Sequence, residues 1–263
     1  MLQSYRILVA LLLAAIAVSC GNDPENYSQE YSKQVYHASI SKDSIPIKKE
    51  EYVKQHYSNG NLKSEGWLKN GKKNGYWKYY QDNGQIAEQG NYMGDKKDGW
   101  WEEYLGNGNT CCIGNYQMDK KTGYWRYYYP NKKPFKLGNY VNDLMSDWWQ
   151  EFRDDSTLVC QGQYSNGKKQ GCWMYYYPNG KVQRQGDYSN DNMSWWWKEY
   201  DEQGNLMYEG NYSNGIKEGY SKTYRKGILQ SEGAYVNGKQ KGSWKFYDEN
   251  GKMISIQDYG DYD

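Results

Sequence analysis

The chain has 263 residues, with 33 basic and 32 acidic side chains for a net charge of +1, so no nucleic-acid partner is expected from its field. Aromatics make up 17% of it, with 31 Tyr and 12 Trp against 3 Phe, while mean hydropathy is −1.14. A chain this polar has too few aliphatic residues for a thick core. Tyr and Trp must supply the apolar area, which suits thin sheets and excludes an ordinary Leu/Ile/Val globule.

In chain order, Arg6 precedes an apolar run of 12 residues, Ile7 to Val18. A bilayer span needs roughly 20 residues, so the run suits a signal-peptide core instead. It leads into Ala17-Val18-Ser19-Cys20, which resembles a lipobox. The resemblance implies cleavage before Cys20 and a diacylated cysteine that anchors the exported protein, with the outer membrane or cell surface as the expected location. Residues 1–20 are read as the lipoprotein signal peptide, and residues 21–50, which lack sustained periodicity, as a flexible tether.

From residue 51 to 263 the chain repeats. Trp recurs at 77, 101, 125, 149, 173 and 197, always 24 residues apart; Ser221 takes the next place and Trp244 follows after 23. Eleven residues before each of these positions stands a glycine, as Gly66, Gly90, Gly114 and Gly138 illustrate, and two residues after the glycine column comes Tyr92, Tyr116, Tyr140 and so on. A first strand typified by Gly75 to Tyr80 leads to Asp82-Asn83-Gly84, and Asn-Gly between β-rich runs is the strongest local hairpin signal. A second strand, Gln85 to Tyr92, leads into a polar loop, Met93 to Asp98. The expected fold is all-β: an elongated antiparallel meander of about eight tandem 24-residue hairpins, with residues 51–57 and 254–259 as degenerate caps.

A two-residue turn at Asn83-Gly84 would set Trp77 opposite Gly90 and Gly75 opposite Tyr92, with Trp101 facing Gly90 from the other side. Each glycine of the column would then lie between two indoles that cover its bare backbone. A 48-residue superperiod overlies the unit: Tyr127-Tyr128-Tyr129-Pro130-Asn131 recurs as Tyr175-Tyr176-Tyr177-Pro178-Asn179. Pair duplication and a two-unit functional period explain it equally well.

No catalytic set is expected. The two histidines, His37 and His56, both lie toward the N-terminal end, and no phosphate-cradling Gly loop is present. Glu103, Glu151 and Glu199 share a column but recur every fourth strand, about 19 Å apart, against the ~5–9.5 Å of paired glycosidase carboxylates. Cys111, Cys112, Cys160 and Cys172 lack zinc spacing, so no metal or cofactor is expected, and free thiols are the expectation. The Lys pairs Lys72-Lys73, Lys96-Lys97, Lys120-Lys121 and Lys168-Lys169 fall along one edge and read as a solvated rim.

Binding is better supported. Successive strand residues face opposite ways, so the residues preceding the Trp column form a second aromatic column. Its members Tyr76, Trp100, Tyr124, Trp148, Trp196 and Tyr220 are the candidate binding surface.

These residues resemble a known repeat. Asn83-Gly84, Glu88, Gly90, Tyr92, Gly99, Trp101 and Tyr104 carry a pattern similar to the variant MORN repeat of bacterial proteins, over roughly residues 57–251. Asp147 and Trp195, where the unit's opening glycine is expected, and Ser221 depart from it. The resemblance implies an elongated β-hairpin sheet used for protein or lipid contacts, in a family often labelled as antitoxins of toxin–antitoxin systems. The sequence thus supports a lipid-anchored, non-enzymatic scaffold for an unidentified protein partner. A glycan-binding surface lipoprotein and an antitoxin-like inhibitor are the alternatives.

Overall fold

A computed structural model describes residues 49–260; the signal peptide, Cys20 and the tether lie outside the described residues, apart from the last two tether positions. The array is made of β1 (Glu50–His56), β2 (Leu62–Lys69), β3 (Lys72–Tyr80), β4 (Ile86–Met93), β5 (Lys96–Tyr104) and β6 (Thr110–Gln117). β7 (Lys120–Tyr128), β8 (Pro134–Val141), β9 (Leu144–Phe152), β10 (Leu158–Ser165), β11 (Lys168–Tyr176) and β12 (Val182–Ser189) continue it. β13 (Asn192–Tyr200), β14 (Leu206–Ser213), β15 (Ile216–Arg225), β16 (Ile228–Val236), β17 (Lys239–Tyr247) and β18 (Met253–Asp258) complete it. Each strand pairs antiparallel with the next, from β1–β2 to β17–β18, in one open 18-stranded sheet. The expected all-β meander is what forms, and both degenerate caps are strands; Val53 of β1 faces Gly66, as its place in the Trp column requires.

The register is as the turn arithmetic demands, but the turn is not. Trp77 faces Gly90 and Gly75 faces Tyr92. Yet Gln81 N donates to Gln85 O and Gly84 N to Gln81 O, so the loop holds three residues, and only Gly84 takes a positive φ, of 84°. A register shift between Tyr79 and Tyr80, at Ala87 of the partner strand, absorbs the extra residue and restores the pairing. The two-residue turn sits at the other end of the unit. Asn70 (φ 54°) and Gly71 (φ 78°) both adopt the left-handed conformation between paired Lys69 and Lys72. The polar loop expected at Met93 to Asp98 is likewise reduced to Gly94-Asp95, with Lys96 to Asp98 already in β5.

Between units the strands carry a wide bulge. Gly90 faces Trp101 and Tyr92 faces Lys97, so Asp98, Gly99 and Trp100 oppose Asn91 alone. The bend needs one left-handed residue, which explains the unit's opening glycine: Gly75, Gly99, Gly123, Gly171, Gly219 and Gly242 all have positive φ there. Asp147 and Trp195 take the same conformation, at φ 61° and 62°, without being glycine.

The core is a single row of indoles on one face. Trp77, Trp101, Trp125, Trp149, Trp173, Trp197 and Trp244 are at most 2% exposed, although only one sheet is present. Each indole lies over the glycine of the preceding strand and donates Nε1–H to the next carbonyl, as Trp101 does to Asn91 O at 2.8 Å. A Cβ on Gly90 would sit 2.3 Å from Trp101 Cδ2, so no side chain fits. The register sets each glycine between two positions of the Trp column, and a Cβ added there would meet the indole eleven residues on first, except at Gly210, where it would meet Tyr208 and Ser221. Tyrosines seal the gaps edge-on. Tyr92 stands 6.2 Å from Trp77 and 5.0 Å from Trp101 at near-perpendicular angles, and the alternation continues to Tyr212.

The superperiod has a structural counterpart on this sealed face. Two residues after the Trp column stand Tyr79, Tyr127 and Tyr175, alternating with Glu103, Glu151 and Glu199. The tyrosines stack on their own unit's indole at 26–29° and share hydroxyl contacts with Tyr92, Tyr140 and Tyr188 at 3.1 Å. The Lys edge is corrected by half: Lys72, Lys96, Lys120 and Lys168 are exposed, but Lys73, Lys97, Lys121 and Lys169 fold inward over the rings. Lys97 Nζ lies 4.0 Å from the Trp101 ring centroid and 2.7 Å from Glu88.

Candidate functional site

On the opposite face the register aligns the second aromatic column into one row. Tyr76, Trp100, Tyr124, Trp148 and Tyr220 are 37–45% exposed, whereas Trp196 is half-buried and reaches Glu209 through Nε1 at 3.3 Å. Cys172 takes this column's place in β11 and is exposed, unlike buried Cys112 and Cys160; all four array cysteines are free thiols. The row starts earlier than the sequence suggested, with Tyr52 and Trp67 packed edge-to-face at 5.3 Å and both nearly half exposed.

Across five hairpins the aromatic faces an amide, Tyr76 with Asn91, Trp100 with Asn115, Tyr124 with Asn139, Trp148 with Gln163 and Trp196 with Asn211, whereas Tyr52 faces Trp67 and Tyr220 faces Ala234. Sequence reasoning missed this alternation because the amides stand fifteen residues after their partners and become neighbours only through the register. Beside the row, on the same face, run tyrosines held by earlier acids and amides: Tyr80 donates to Glu65 at 2.6 Å, Tyr224 to Glu209 at 2.7 Å and Tyr247 to Glu232 at 2.6 Å. Hydrogen bonds from Tyr220 and Tyr247 hold the Glu232 carboxyl below the usual carboxylate range. Burial, with Glu102 nearby, pushes the Tyr76 hydroxyl up to about 12.

Trp195 was also missed as a site residue. It is 72% exposed, more than any other large apolar side chain described, and it makes no ring contact with another described residue. The signal was present in the Trp195-Trp196-Trp197 triplet at a glycine position. A Cβ on the matching Gly99 would lie 3.9 Å from the Asn91 side chain, and on Gly219 3.6 Å from Asn211 Nδ2. A side chain at this bulge therefore leaves the backbone beside the amide column, which for Trp195 means beside Asp187. Burial alone raises the Asp187 carboxyl above the usual range.

The remaining polar groups are structural in placement. Glu88 and Glu103 face each other across β4 and β5, a like-charge pair the sequence reading did not consider, and Lys97 bridges to Glu88. Glu151 pairs with Lys136 at 2.7 Å, and Glu199 faces Arg184. Among the described residues, no group of three His, Cys, Asp or Glu could hold a metal ion.

Five segments of the chain, residues 73–93, 121–142, 169–190, 197–214 and 240–261, match the MORN repeat variant family. No curated protein matches the chain. Among solved structures, 74 chains are similar. One is in the crystal structure of TcdB2-TccC3-Cdc42, at 11% identity and a TM-score of 0.21 over 76% of this chain; the match spans 13% of that chain's length.

Proposed function

We propose that this chain is a non-enzymatic docking scaffold of the cell envelope, tethered through a lipid on Cys20 and meeting its partner along the row from Tyr76 to Tyr220. One observation carries the reading. The two faces of one sheet treat the same residue types in opposite ways, sealing indoles to 0–2% exposure on one and leaving a row of rings 37–45% exposed on the other. Single exposed aromatics are ordinary on protein surfaces. A file of them on one face, interrupted only at Cys172 between Tyr76 and Tyr220, is the pattern of a partner surface. The partner is a macromolecule long enough to lie across several units, since most units add an aromatic platform. A lipid on Cys20 and a tether of about thirty residues would hold the array near the outer membrane or cell surface and leave it free to turn.

A photo-cross-linking side chain at Tyr124 or Tyr220 tests this in the native cell, with the same group at exposed Asp154 in a turn as the control. Adducts from the row and none from the turn are expected. No adduct at either row position, or equal labelling at all three, overturns the docking surface. Palmitate incorporation lost in Cys20→Ala is the expected result for the anchor, and incorporation that survives the substitution removes it.

A further inference from the structure

The row is a repeating surface, and its repeat selects among partners. Except at β11, where Cys172 faces Asp187, one aromatic platform follows another every second strand from Tyr76 to Tyr220, about 10 Å apart at ~4.8 Å per strand, with an amide between. These amides are unlike those of the turns. Asn109 and Asn179 donate to the turns ahead, at Pro130 O and Glu202 O, both at 2.8 Å. Asn91, Asn115, Asn139 and Asn211 make no side-chain hydrogen bond to another described residue. They offer both a donor and an acceptor to whatever covers the row.

Charge narrows the choice. From Tyr52 to Tyr220 the row contains no Lys or Arg and one carboxylate, Asp187. Of the cations just beside it, Lys54 is paired with Glu65 at 3.1 Å and Lys198 with Glu209 at 3.8 Å, while Lys78, Arg126 and Lys222 lie over the rings of Tyr76, Tyr124 and Tyr220 at 5.6–6.0 Å. Those three stand on β3, β7 and β15, four or more strands apart, so a polyanion finds isolated charges and no continuous cationic track. A neutral, hydroxyl-rich chain finds apolar platforms for its C–H faces and amides for its hydroxyl rims.

Trp195 marks one point of the row. Its left-handed backbone is strained for a bulky residue, and its ring is 72% exposed and stacks on no other described ring. Strain held at an exposed indole, in a place where most other units use glycine, points to function and not to folding.

Resting on the docking reading above, we propose that the row is a binding track for a neutral, linear, equatorially linked glycan laid along the array across the strands, with Trp195 as its anchor beside Asp187. In such a chain alternate sugar rings present the same face, and a pair of linked rings spans close to the platform spacing. Every second ring stacks on an aromatic, and the ring between meets the amide. Affinity accumulates with length because each added pair of rings reaches another platform.

Calorimetric titration of the full chain in detergent micelles tests this, with cello- and chito-oligosaccharides from the disaccharide to the octasaccharide. Affinity is expected to rise with each added pair of rings. Trp195→Gly restores the residue that most other units hold at this bulge, so it is expected to keep the melting temperature at least as high while weakening octasaccharide binding about tenfold. Absence of binding by either octasaccharide at millimolar concentration, affinity independent of length, or unchanged binding in Trp195→Gly each overturns the proposal. So does preference for an acidic polysaccharide that salt abolishes. Cross-links from Tyr124 to protein alone would discard the glycan and leave the docking surface standing.

Discussion

Trp148 and Trp149 are neighbours in β9, and together they show two uses of an indole in a single sheet. Trp149 is 1% exposed, lies over Gly138, and donates Nε1–H to Asn139 O and Ser146 O, both at 3.1 Å. Trp148 points the other way, is 40% exposed, and faces Gln163. The side-chain chemistry is the same. What differs is the residue beneath: a bare glycine lets the ring lie flat on backbone and bury itself, while an amide holds it off. Burial in a one-layer sheet is made by close approach of ring to backbone and needs no second layer.

The largest expected effect breaks that approach. Gly138→Ala would put a Cβ 2.1 Å from Trp149 Cδ2, so the indole must leave its place. A loss of about 3 kcal/mol is expected from Gly138→Ala and about 3–5 kcal/mol from Trp149→Ala, against under ~1 kcal/mol from Trp148→Ala. Urea unfolding of the three variants checks this, and equal losses from Trp148→Ala and Trp149→Ala would end the distinction between the faces.

Alkaline titration comes next. Burial, and the Tyr175 hydroxyl beside it, push the sealed Tyr188 hydroxyl up to about 12. An acid whose folded pKa is raised keeps its proton while the unfolded chain, with Tyr near 10, has lost it, so the unfolded state is favoured as pH rises. Stability is therefore expected to be level below about pH 10 and to fall between about 10 and 12. Tyr188→Phe should flatten that fall, and an unchanged alkaline limb in that variant would contradict the assignment.

Much of this was legible in the sequence because the repeat multiplies weak signals. One Trp at 77 says little, but six at a fixed spacing fix strand, face and register at once. The turn was misread locally and the register still came out right, since a bulge at Ala87 takes up the residue that the three-residue loop adds. What stayed hidden depends on neighbours that the register creates: the inward half of the Lys pairs, the amides between the exposed rings, and Glu88 opposite Glu103. Trp195 was visible as a departure from pattern, but its meaning needed the φ of 62°. Relief of that strain is the third effect, with Trp195→Gly expected to gain about 1–3 kcal/mol. Asp147→Gly should gain less, because aspartate tolerates the left-handed region through its short polar side chain.

The smallest effect lies where the sealed row is interrupted. At Ser221 the indole is missing, and Tyr208 of the preceding strand fills its volume, 6% exposed, with Lys217 Nζ 4.0 Å over its ring. Gly210 is still needed, because a Cβ there would sit 2.5 Å from the Tyr208 hydroxyl and 2.6 Å from Ser221 Cβ. The substitution keeps the volume but loses the polar match. The indoles of the other units each give Nε1–H to a carbonyl, whereas the buried Ser221 and Tyr208 hydroxyls lie near one another and near Tyr212 without a well-formed hydrogen bond. An orphaned buried hydroxyl is unfavourable by about 1–3 kcal/mol, so Ser221→Ala is expected to stabilise the array by about 1 kcal/mol, and Tyr208→Phe by a similar amount. Thermal unfolding of the two variants decides it: destabilisation by either one would mean that its hydroxyl is satisfied and that this unit is as well matched as those built on Trp.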